Sequence, residues 1–150
     1  MSTDEKITKE LIQTLEDGKE GFANAAARLA DTDRSDLCAK FTGYSTQRET
    51  FATELKALAA TYGDQIEKTG TITGTLHRGW MAVKDAIAGD NDPEGVLDAA
   101  EQGEDHAVAE YEKALADTEM SAELRTVVQR QFLAVKAAHD EVRDLRNAHA

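Results

Sequence analysis

The sequence predicts an all-α protein, and three observations carry that reading. Proline occurs once in 150 residues, at Pro93. Valine and isoleucine together number twelve, by count along the chain. Alanine, the strongest helix former, occurs 25 times, amid abundant Leu, Glu, Lys and Gln. At 16.3 kDa the chain is one domain's worth, 1–150, large enough to bury a core without staples.

Capping and breaking residues divide the chain. Ser2 with Glu5 forms a capping box opening a first helix that reaches Leu29 or Ala30. After Asp31-Thr32-Asp33, a second helix is expected from about Arg34 to Tyr62, with Gly63 in the left-handed stop position. Gly70-Thr71-Ile72-Thr73-Gly74 reads as a connector. A shorter amphipathic stretch follows from Leu76 to Ala88, with Leu76, Trp80, Val83 and Ile87 at helical spacing. Asp92-Pro93-Glu94 starts a third long helix, expected to reach about Asp117. Ser121 opens a fourth that runs almost to the end. Four long helices, with one long, part-helical connection in the middle, are the layout of a ferritin-like four-helix bundle with a short helix in its crossover. A five-helix bundle is the other arrangement this layout allows.

Each long helix carries an apolar seam in alternating steps of three and four, interrupted near its middle. The interruptions are Gly18, Arg48, Glu104 (with Glu101 beside it) and Gln131. Counted from the turns near Thr32 and Glu119, their heights agree to about one helical turn, at ~1.5 Å rise per residue. A single polar layer across the waist is therefore expected. In it Arg48 pairs with Glu104, Gln131 and the hydroxyls of Tyr44 and Tyr111 satisfy the remaining groups, and Gly18 makes room for the guanidinium.

Ferritin-like bundles keep di-iron or di-manganese sites at this height, held by Glu residues and Glu-x-x-His pairs. The sequence has no Glu-x-x-His: Gly74, Gly103, Lys136 and Arg146 stand three residues before His77, His106, His139 and His149. Arg48 puts a fixed cation where a ligand is wanted. The expectation is thus no cofactor. The alternative is iron or manganese on an unconventional set, Glu20, Glu101, Glu104, Gln131 and His139.

Gln47-Arg48 with Phe51 and Glu54-Leu55, Leu76-His77-Arg78-Gly79-Trp80, Gly103-Glu104-Asp105 with Tyr111, and Gln131, Val135 and His139-Asp140 together resemble one bacterial family, domain of unknown function 2383. The resemblance runs over nearly the whole chain. It implies the ferritin-like fold and carries no established activity. Of the wider superfamily's ligand pattern it transfers only Glu104 and, loosely, Gln131; the first two helices depart from that pattern. The company of ferritins and rubrerythrins implies a stress-associated role.

The remaining candidates read as structural. His77, Arg78 and Trp80 form a cluster at the start of the crossover helix, where Trp80 is expected to plug the bundle; an exposed grip on an anion or partner is the other reading. His106 with Glu110, and His139 with Asp140, are expected as helix-surface hydrogen bonds. Cys38 is a lone thiol and reads as apolar filler, so neither a disulfide nor a multi-cysteine zinc site is expected. No Gly-rich phosphate loop and no Ser/His/Asp arrangement stand out.

A net charge of -12 argues against nucleic acid and anionic membrane surfaces, and no apolar run is long enough to span a bilayer. Met1–Glu5 lacks the basic-then-apolar pattern of an export signal, so a cytoplasmic location is expected. Residues 121–150 hold four acids against five bases, while the rest is strongly acidic. That difference is compatible with a homodimer interface on the last helix or with a face masked inside the bundle. The function expected is a non-enzymatic helical protein acting through a protein partner or self-association. A di-metal oxidase or storage protein is the alternative.

Overall fold

The computed structural model describes residues 3–61 and 93–149. Among them the chain forms four long helices and no strand: α1 (Thr3–Ala30), α2 (Cys38–Thr61), α3 (Pro93–Leu115) and α4 (Ala122–His149). The crossover helix expected at 76–88, its cluster His77, Arg78 and Trp80, and the stop at Gly63 lie outside the described residues.

Local chemistry sets the ends. Thr32 closes α1 by donating its hydroxyl to the Leu29 carbonyl at 2.8 Å, and its Oγ1 accepts from the Arg34 amide at 3.0 Å. Instead of starting a helix at Arg34, the chain makes one 3-10 turn, Ser35–Leu37, so α2 begins later than the sequence suggests. That turn buries Leu37 beneath α1. Pro93 is the first residue of α3, where its missing N–H costs nothing. α3 stops at Leu115, short of Asp117, and Arg125 donates to the carbonyls of Leu115 and Asp117 at 2.8 and 2.6 Å. Ser121 caps α4 by accepting the Leu124 amide, and the Ser121 amide itself donates to Asp4 at the start of α1.

Side-chain pairs fix the directions. Along α1 and α2 the pairs run Glu16–Lys56 and Lys19–Ser45, so these helices are antiparallel. Asp98–Arg146, Asp105–His139 and Tyr111–Gln131 make α3 and α4 antiparallel. Lys40–Glu141 and Glu54–Arg130 do the same for α2 and α4. α2 and α3 therefore run the same way, and Thr61 and Pro93 stand at opposite ends of the bundle. α1 packs on α2 and α3, and α4 packs on α3 and α2, which places α2 and α3 on one diagonal.

Two apolar clusters fill the interior. Phe22, Leu29, Phe41, Leu97 and Val142 lead the one near the α1–α2 turn. Leu11, Leu15, Leu55, Leu124 and Val128 lead the other. Between these clusters lie the charged side chains.

Candidate functional site: a charged waist

Arg48 and Glu104 are the two charged side chains at the centre, 1% and 0% exposed. They reach each other across the α2–α3 diagonal, a span that suits the long arginine stem. The contact is a bidentate fork: Nη1 donates to Oε1 at 2.5 Å and Nη2 to Oε2 at 2.7 Å. This geometry matches a planar guanidinium to a carboxylate and is the strongest form of such a bond. Arg48 Nε donates to Gln47 Oε1 at 3.2 Å, and the guanidinium carbon lies 5.1 Å from the centroid of the Phe22 ring. The cation thus has a carboxylate ahead, an amide oxygen at its side and a π face against it.

Gly18 lies against this arginine, as the sequence suggests. A Cβ built there would sit 3.5 Å from Arg48 Cγ and Nη1, an ordinary van der Waals contact. Alanine would fit there as well.

The expected single layer resolves into separate networks. Gln131 is fully buried, and its side-chain oxygen accepts from the Tyr111 hydroxyl at 2.8 Å. Its Nε2 donates to Glu54 Oε1 at 2.8 Å and to the Phe51 carbonyl at 3.3 Å. Arg130 closes this group from outside by donating to Glu54. Burial pushes the Tyr111 hydroxyl well above its ordinary range, so it stays protonated and fixes which way the Gln131 amide points. Tyr44 departs from the expectation. Its ring packs 5.1 Å from Phe22 and 6.0 Å from Phe41, and its buried hydroxyl has no hydrogen-bond partner among the described residues.

His139 joins a third group. Its Nε2 lies 2.6 Å from Asp105 on α3, and its Nδ1 lies 3.0 Å from Asp140 on its own helix. Only the imidazolium can donate to both carboxylates. Burial by itself would lower the histidine's pKa; the hydrogen bonds to Asp140 and Asp105, with the negative charge of Asp105 and Glu104, outweigh it and raise the value above 6.5. Hydrogen bonding to His139, helped by Lys136 and Arg143, holds Asp140 below its usual range. A raised folded-state pKa gives stabilisation that is complete below the unfolded value of about 6.5 and is lost as pH rises through the folded one. Urea midpoints should therefore fall from mildly acidic to mildly alkaline pH, and His139→Gln should flatten that fall. Parallel profiles for the two proteins would remove this histidine as the cause.

The candidate metal ligands do not converge. Glu20 is exposed on α1, Glu101 faces Arg146 at 3.0 Å, and both oxygens of Glu104 are taken by Arg48. Gln131 and His139 are engaged as described above. Among the described residues no three His, Cys, Asp or Glu side chains gather to hold an ion. This donor set does not fit a di-metal centre. His106 stands 4.0 Å from Glu110, and Cys38 is half-buried against the Phe22–Phe41 cluster. Asp105, Glu54 and Gln47 were not legible as partners, because each sits off its helix's apolar seam; only the three-dimensional arrangement joins them to seam residues.

These features define a class: an all-helical bundle whose waist is closed by a buried arginine–glutamate fork. Residues 5–117 match the family described as Domain of unknown function (DUF2383), and the chain belongs to it. A comparison with curated proteins finds no match. No helix among the described residues is long and apolar enough to cross a membrane.

Proposed function

We propose that this chain is a non-enzymatic, ferritin-like bundle in which an ion pair takes the position that metal-binding bundles give to their ions. In this reading it acts in the cytoplasm through a protein partner or a second copy of itself, in a stress-associated setting. The helix directions support the ferritin-like topology, since antiparallel neighbours and parallel diagonals require a long connection between α2 and α3. The observation that carries the functional reading is the Arg48 fork on Glu104. A guanidinium cannot be deprotonated in a protein, so this carboxylate is neutralised permanently and offers both oxygens to a resident cation.

The reading is tested by elemental analysis of protein purified without chelator. Iron and manganese well below stoichiometric amounts are expected, unchanged in Glu104→Gln. Near-stoichiometric metal, lost in Glu104→Ala and in Glu104→Gln while circular dichroism still shows a folded helical protein, would overturn it in favour of a di-metal oxidase or storage protein.

A further inference from the structure

The last turns of α4 are held differently from the rest of that helix. Between Leu124 and Val135 the helix is anchored in the interior, by Leu124, Val128 and Val135 and by the bonded Gln131 amide. Beyond His139, Val142 is the one fully buried side chain among the described residues, and Leu145 packs at the edge of the same cluster. The other attachments of this stretch are ion pairs between partly exposed side chains. Glu141 meets Lys40 of α2 at 3.0 Å, and Arg146 meets Asp98 and Glu101 of α3 at 3.4 and 3.0 Å. Pairs of this kind add little in water.

His139 stands where the two parts of α4 meet. Its side chain is only 15% exposed, and it bridges Asp105 of α3 and Asp140 of α4. The charged groups around it differ in what they keep without it. Asp140 retains Lys136 and Arg143, at 3.6 and 3.5 Å. Glu104 is held by Arg48 from α2, and Lys40 of that helix is turned to Glu141. On α3, Glu101 is turned to Arg146 and His106 to Glu110. Asp105 has no cation but His139 among the described residues. A neutral imidazole has one N–H, so it cannot serve both carboxylates, and its bare nitrogen presents a lone pair to a carboxylate oxygen. The pKa of this histidine is raised, so the change comes as pH climbs past 6.5.

We propose that His139 is a proton-operated latch: protonated, it fastens the last turns of α4 to Asp105 on α3, and deprotonated, it releases them while the rest of the bundle stays folded. The released turns carry Val142 and Leu145, so opening uncovers the apolar cluster near the α1–α2 turn. This goes beyond the fall in overall stability with pH, because it assigns a loss to one stretch of one helix. It does not rest on the polar-waist reading: a failure here leaves the metal measurement untouched, and the reverse holds too.

Amide hydrogen exchange of the full chain, corrected for the intrinsic pH dependence of exchange, tests the proposal. From mildly acidic to mildly alkaline pH, protection of the amides at 140–148 should fall by about threefold or more, while protection at 124–135 holds. In Asp105→Ala and in His139→Gln, protection at 140–148 should be low already at acidic pH and should no longer respond to pH. Arg146→Gln removes the neighbouring ion pairs and leaves the latch, so it should lower protection yet keep the pH response. Equal loss in both stretches, or protection that ignores pH in the wild type, would overturn the proposal. So would a pH response that survives in Asp105→Ala and His139→Gln, or one that vanishes in Arg146→Gln.

Discussion

Replacing Arg48 with methionine should lower the unfolding free energy by about 3–5 kcal/mol, because it strands the Glu104 carboxylate in the interior. Glu104 is 0% exposed and both of its oxygens accept from Arg48, so water cannot replace the lost donors without opening the bundle. The net worth of the pair is a separate quantity. Desolvating two ions costs several kcal/mol each, and the fork returns roughly that amount, so an apolar pair of similar volume is often neutral or better. Arg48→Met combined with Glu104→Leu should therefore recover most of what either single change loses. Urea denaturation of the wild type, both single variants and the double variant closes the cycle. A strongly positive coupling is expected, and additive losses would mean that the two charges are not each other's partners.

Phe22→Ala should cost about 3–5 kcal/mol, the range for deleting a buried aromatic ring. Phe22 is fully buried and sits at a junction: its ring meets Phe41 edge-on at 5.6 Å, tilts against Tyr44 at 5.1 Å and lies beside the Arg48 guanidinium. Truncation leaves a cavity and also removes the π face from a desolvated cation. Phe22→Leu separates the two effects by keeping most of the volume and losing the ring. Its loss should be clearly smaller than for alanine and should shrink further in an Arg48→Met background, where no cation remains. Thermal or urea midpoints of the four variants decide this. An unchanged Phe22→Leu effect in that background would assign the ring to packing alone.

Much of this architecture was legible because the signals are local. Pro93, Ser121 and Thr32 mark real helix boundaries, and the three-four spacing picks out side chains that are in fact buried, from Leu11 and Phe22 to Val128 and Val142. The start of α2 was misjudged because Arg34 follows a residue fit to cap a helix, yet burying Leu37 favours a 3-10 turn first. The waist was legible as a set of polar interruptions and one pairing, Arg48 with Glu104, but not in its other partners. Height put Gly18, Arg48, Glu104 and Gln131 in one layer, with the Tyr44 and Tyr111 hydroxyls as expected partners, but hydrogen bonding depends on azimuth. Around the bundle axis Gln131 turns to Glu54 and Tyr111, while Tyr44 turns into the aromatic cluster.

The diagonal fork also bears on how the two hairpins find their alignment. Each hairpin is built from neighbours in sequence, whereas Arg48 and Glu104 are 56 residues apart and meet only when the halves dock. A docking error of one turn, about 5.4 Å along the axis, would slide alanine and leucine past each other at little expense. The same error would push an unmatched cation and an unmatched anion into hydrocarbon at two separate levels. Greasy surfaces tolerate many alignments; this pair of charges tolerates one, and so works as a vernier that sets the halves in step.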